Sequence, residues 1–120
     1  MPEKRKAKRS NISYYLRITD ATSNQLIGHL SDITKNGLKI DSRKELPVPK
    51  EYRLRIYTNS EISNKDYIEF IASTRWCKPD SMDPGLFDIG FEIIKIDSHD
   101  SETIQRMIDK YTTKQISLNF

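Results

Sequence analysis

The stretch EYRLRIYTNSEISNKDYIEFIASTRW, residues 51–76, decides how this chain folds. Tyr52, Leu54 and Ile56 alternate with Arg53, Arg55 and Tyr57, the period of two that a strand with one buried face requires. After a polar loop, Ile68, Phe70, Ala72, Thr74 and Trp76 continue the rhythm over a longer strand, which places Trp76 in the core. Pro79, Pro84 and Gly85 break it, and Phe87, Ile89, Phe91 and Ile93 then form another alternating face, with Gly90 where a side chain is expected. Upstream, Ile12, Tyr14, Leu16 and Ile18 give a first strand, residues 26–30 a second, and Leu38 with Ile40 a short third. Pro47 and Pro49 make residues 46–50 a loop or an edge.

Only the last quarter changes period. Ile104, Met107, Ile108 and Tyr111 recur at i, i+3, i+4 and i+7, the stripe of an amphipathic helix over about residues 100–115, with Asp100 or Ser101 as N-cap. Six short strands at hairpin-like spacings and one terminal helix predict a mainly β fold: a six-stranded antiparallel barrel closed or flanked by a C-terminal α-helix.

The length of 120 residues fits one domain, and a charged fraction of 31% leaves no run approaching the ~20 apolar residues that cross a bilayer. No apolar run follows the basic N-terminus, so a secretory signal is not expected, and the single Cys77 fits a reducing compartment. A cytoplasmic protein is the expectation. Charge is uneven: Lys4, Arg5, Lys6, Lys8 and Arg9 stand against Glu3 in the first nine residues, which leaves 15 basic and 16 acidic residues for the rest. Residues 1–11 read as a flexible basic arm and 12–120 as the barrel domain with its helix. Such an arm holds a small, local anionic partner or serves as a solubilising tail.

Catalytic groupings are missing from the pattern. His29 and His99 stand far apart with Cys77 the sole thiol, so neither a zinc site nor an activated nucleophile has its required spacing. The four glycines are too scattered for a phosphate-cradling loop, and no enzyme, metal or resident cofactor is expected. Two segments do combine into a chemistry: Arg5-Lys6-Ala7-Lys8-Arg9 and Asp32-Ile33-Thr34-Lys35-Asn36-Gly37. Guanidinium groups suit phosphate oxygens and the paired O6 and N7 acceptors of guanine. Asp32 offers an acceptor for the guanine N1–H and amine, Thr34 a hydroxyl, and Gly37 close backbone approach. A guanine nucleotide with phosphates satisfies both segments at once.

These two segments, in this order and at this separation, resemble the motifs of the PilZ domains, Arg-x-x-x-Arg on an arm and Asp/Asn-x-Ser-x-x-Gly at a strand turn. Arg5 and Arg9 match the first; Asp32, Thr34 and Gly37 match the second, with threonine where serine is usual. Thr74-Arg75-Trp76-Cys77 and Asp88-Ile89-Gly90-Phe91-Glu92 are similar to the family's late strand pair, so the resemblance covers essentially the whole chain. It implies a receptor for the bacterial second messenger cyclic di-GMP, bound by Arg5, Arg9, Asp32, Thr34 and Gly37, with Lys4 bearing on whether one ligand or a stacked pair binds. It further implies signalling by ordering of the arm, which changes the contact with a downstream protein partner that the sequence does not identify. The alternatives are a nucleic-acid-binding barrel with Tyr14, Tyr15 and Tyr57 as stacking platforms, and a degenerate adaptor that has lost its ligand. Tyrosines on both strand faces and a body with a slight acidic excess speak against nucleic acid.

Overall fold

The computed structural model describes residues 16–60 and 62–119, with side chains described as far as residue 110. Six strands, β1 (Arg17–Asp20), β2 (Gln25–Ile33), β3 (Gly37–Ser42), β4 (Glu51–Tyr57), β5 (Tyr67–Pro79) and β6 (Phe87–Lys95), precede one helix, α1 (Ser98–Asn119). Every neighbouring pair is antiparallel in the order β1-β2-β3-β6-β5-β4, and β4 pairs with β1 to close the barrel. The expected six-stranded antiparallel barrel with its C-terminal helix is therefore what forms. Residues 12–15 of the expected first strand lie outside the described residues.

Each strand sends alternate residues inward. Ile18, Leu30, Ile40, Leu54, Ile56, Ile68 and Ile89 meet there with no exposed surface. Ile62 from the β4–β5 loop and Ile104 and Met107 from α1 join the same core. The antiparallel topology brings the β2–β3 turn, the β4–β5 loop and the β6–α1 connection out at one end of the barrel.

Trp76 corrects the core expectation, because it is 39% exposed. In the pairing of β5 with β6, Thr74 faces Phe91 while Trp76 already faces Gly90, so Arg75 is an extra residue. That bulge inverts the parity of the strand beyond it. Thr74 stays buried, Cys77 packs against the core, and Trp76 turns outward. Its indole fills the place of the missing side chain at Gly90: a Cβ there would lie 2.4 Å from the ring carbon Cε2.

The helix begins before the expected start, and its N-cap is Asp97 rather than Asp100 or Ser101. The Asp97 carboxylate accepts the backbone N–H of Asp100 at 2.8 Å, and its carbonyl accepts that of Ser101 at 2.9 Å. Asp100 is thereby released for a tertiary role. Only 3% of its side chain is exposed, and it accepts from Lys65 Nζ at 2.9 Å and from the backbone N–H of Glu69 at 3.2 Å, tying α1 to β5. Burial pushes the Asp100 carboxyl up, but the hydrogen bonds from Lys65 and Glu69 outweigh it and hold the pKa below its ordinary value.

Two outcomes follow from these contacts. Gly90→Ala should push the indole off its seat, which a red shift of Trp76 fluorescence would report; unchanged emission would mean that the ring does not rest there. A carboxyl with a lowered folded pKa contributes stability above its unfolded value, about 3.9, and that contribution is lost as pH falls through the folded value. Asp100→Asn should therefore cost about 1–3 kcal/mol in denaturant unfolding near pH 7, with the deficit shrinking below about pH 4. An equal deficit at both ends of the range would contradict the ion-pair account.

Candidate ligand site

The second motif folds as the hairpin joining β2 to β3. A bulge sets it up: Leu30 faces Ile40 and Asp32 faces Lys39, which makes Ser31 the extra residue. Leu30 and Ile33 both point into the core, so Asp32 is left exposed between them on the outer surface. Its Oδ1 accepts the N–H of Ile33 at 2.9 Å, which fixes the carboxylate beside its own backbone. Thr34 closes the turn twice, donating its N–H to the Gly37 carbonyl at 2.8 Å and its Oγ1 hydroxyl to the same oxygen at 3.2 Å. The Asn36 carbonyl accepts the N–H of Ile93 at 2.8 Å, which fastens the turn to β6. A Cβ at Gly37 would lie 2.5 Å from the Phe91 carbonyl oxygen, so glycine is what lets β3 begin this close to its neighbour. The threonine in place of the usual serine thus keeps the hydroxyl in a defined role.

Asp32, Thr34 and Gly37 are brought together as the spacing implies. Arg5, Arg9 and Lys4 lie outside the described residues. Two further residues share the surface of the motif, and their place comes from register. Asp32 faces Lys39 across β2–β3, Lys39 faces Gly90 across β3–β6, and Gly90 faces Trp76 across β6–β5. At ~4.8 Å per strand, one continuous outer row runs from the carboxylate through an ammonium to an indole. Lys78 sets its Nζ 5.1 Å from the Trp76 ring centroid, adding a second cation at the far end. The sequence carries a signal for this row only in the inverted form of Gly90, an apparent gap in an apolar face that is the seat of an outward tryptophan.

A separate grouping of carboxylates, Asp41, Asp80 and Asp88, brings one oxygen from each within 4.8 Å. Such a set suits a hard cation by ligand type alone. Asp80 Oδ1 is already engaged as an anchor of the β5–β6 loop, accepting the N–H groups of Met82 at 2.8 Å and Asp83 at 3.0 Å. Burial, and then a hydrogen bond with Asp80, pushes the Asp88 carboxyl above its ordinary pKa. Neither histidine belongs to this grouping.

The chain matches the family model for the PilZ domain over residues 3–110. In fold it is similar to the inhibitor of motility (MotI/DgrA) of Bacillus subtilis, with a TM-score of 0.67, 19% sequence identity and 82% of this chain covered. The chain spans about half of that protein, 47% of its length. It is also similar to the PilZ domain with c-di-GMP of YcgR from Escherichia coli, with a TM-score of 0.63, 11% identity and 87% of both chains covered. No curated protein matches the chain in sequence. No helix among the described residues is long and apolar enough to cross a membrane. With a family match that takes in both motifs and all six strands of the barrel, the chain belongs to the PilZ domain family.

Proposed function

We infer that this protein is a receptor for cyclic di-GMP that acts by binding rather than by catalysis. The observation that carries this reading is the β2–β3 hairpin, where exposed Asp32 and Thr34 stand on a turn pinned by three hydrogen bonds. The same chain carries Arg5 and Arg9 within the span of its family match, and one of the structures similar to it is a PilZ domain with that ligand.

The roles divide by chemistry. Asp32 accepts from the N1–H and amine edge of a guanine, while Arg5 and Arg9 supply planar forks for the phosphates and for O6 and N7 of the base. Lys39 adds a cation beside Asp32, and the Trp76 indole offers a face on which a second base stacks. Lys4, next to Arg5 in the sequence, is assigned to the choice between one ligand and a stacked pair. Binding of the two phosphates neutralises the basic arm and orders it against the hairpin, and the new surface is what a downstream protein reads.

Calorimetric titration tests this directly. Cyclic di-GMP should bind well ahead of cyclic di-AMP, since adenine places a donor amine where guanine has O6 and so faces the arginine fork with a repulsive group. Arg5→Ala, Arg9→Ala and Asp32→Ala should each weaken binding by about 2 kcal/mol, roughly thirtyfold, with little change in melting temperature. Equal affinity for the two dinucleotides would sink the guanine-edge argument, and no binding of either would leave a degenerate adaptor.

Trypsin tests the arm separately. Cleavage after Arg5, Lys6, Lys8 and Arg9 should slow markedly under saturating cyclic di-GMP while the barrel resists in both states. Tight binding with an unchanged cleavage rate would move recognition to the barrel surface alone.

A further inference from the structure

On the outer surface of β1, β4, β5 and the end of β6, three successive cross-strand rows have an unusual composition. In the first, Arg17 of β1 lies next to Tyr57 of β4, which faces Tyr67 of β5. The Arg17 guanidinium carbon stands 4.6 Å from the Tyr57 ring centroid, and the two tyrosine rings are 5.6 Å apart. In the second row Arg55 faces Glu69 and also reaches over Tyr67, its guanidinium carbon 4.4 Å from the ring. In the third, Arg53 faces Ile71, which faces Lys95 of β6. Ile71 pairs with Lys95 and Ala72 with Ile93, so Ile94 is bulged out opposite no residue, and it is 49% exposed.

The patch therefore has an apolar and aromatic middle, Tyr57, Tyr67, Ile71 and Ile94, among four cations, Arg17, Arg53, Arg55 and Lys95. One carboxylate, Glu69, serves two of them, at 2.9 Å from Arg55 and 3.2 Å from Arg53. The Arg55 hydrogen bond, with that of Arg53 behind it, holds the Glu69 carboxyl below its ordinary pKa, so it stays ionised and the face keeps a local charge of three positive. The next row, Glu51–Ser73–Glu92, bounds the patch with acid. Beyond the basic arm the chain carries an acidic excess of one, so a positive face on it is a concentration of charge rather than a sample of the whole.

We propose that this face of β1, β4, β5 and the end of β6, centred on Ile71 and Ile94 and rimmed by Arg17, Arg53 and Lys95, docks an acidic protein segment that also carries an apolar side chain. The charge complementarity selects the sign of the partner. The half-buried isoleucine beside a bulged, exposed one gives it an apolar anchor. The tyrosines, each already stacked against a neighbouring ring or guanidinium, are rigid contact area at small entropic cost. Ile94 adjoins Ile93, whose N–H bonds the Asn36 carbonyl, so the surface borders the ligand hairpin; none of its residues belongs to the motif, and the proposal does not depend on what that hairpin binds.

Amide chemical-shift mapping on the full chain provides the test, with a glutamate peptide carrying a central leucine as probe and its lysine counterpart and oligothymidylate as controls. The glutamate peptide should shift the amides of Arg53, Arg55, Tyr57, Ile71 and Ile94. The double variant Arg17→Glu/Arg53→Glu should lower its affinity about tenfold or more. Ile94→Ser, at an exposed position that leaves the charges in place, should weaken binding as well and keeps the test decisive if the double variant misfolds. Shifts confined to residues 3–9 would show that the arm alone attracts acid and overturn the proposal. Equal shifts with the lysine peptide would overturn it also, and stronger binding of oligothymidylate to the same face would reassign it to nucleic acid.

Discussion

A closed barrel of six strands has one inside, and each strand can fill it with only every other residue. That constraint, the parity of the pleat, governs the rest of the molecule, because whatever faces inward must be apolar and whatever faces outward is available for chemistry. Parity is reset wherever one strand carries an extra residue against its partner. Such resets occur at Ile18/Thr19, Leu30/Asp32, Ile71/Ala72 and Thr74/Trp76. The second leaves Asp32 outside between two buried apolar residues, the third bulges Ile94 into solvent, and the fourth turns Trp76 onto the outer wall. The irregularities of the ladder are thus where the surface acquires its chemistry.

The same parity explains what could be read from the residues and what could not. Alternation at Tyr52–Ile56, Ile68–Thr74 and Phe87–Ile93 is a local property of the chain, and those residues form β4, β5 and β6 as their pattern implies. A bulge is a property of two strands together, so the outward turn of Trp76 has no signature in β5 alone. The helix cap was displaced for a similar reason. Asp100 carries the side chain of a cap, but its carboxylate is spent on Lys65 and on the N–H of Glu69, a loop and a strand distant in sequence, and Asp97 caps instead. The second motif was legible because the turn it makes is local. Lys39 and Trp76 join Asp32 only through pairings that bring residues 32, 39, 90 and 76 side by side.

Surroundings shift the carboxyls of this barrel in opposite directions. Burial first, and then Asp80 and Asp41, push the Asp88 carboxyl up, while on the β1–β4–β5 face the hydrogen bonds from Arg55 and Arg53 hold the Glu69 carboxyl down. The totals of 20 basic and 17 acidic residues thus conceal local groupings, carboxylates at Asp41, Asp80 and Asp88 and arginines around Glu69.

The proposed ligand mechanism also sets a requirement that the hairpin is built to meet. Ordering a free arm of about five residues costs on the order of 1–2 kcal/mol per residue, whereas one charge-assisted hydrogen bond returns roughly 1.5–3 kcal/mol. Several contacts must then form together, and none of their energy can be diverted to shaping the other half of the site. Thr34 and Gly37 close the turn within β2–β3, and Asn36 ties it to Ile93 of β6, so that half is ordered by folding rather than by ligand. Concentrating the entropic cost on the arm makes the arm the element whose state reports occupancy. It also predicts that loosening the turn weakens the ligand through preorganisation: Thr34→Ala and Thr34→Gly both lose the hydroxyl, and the further loss in Thr34→Gly should appear as a less favourable binding entropy in calorimetry.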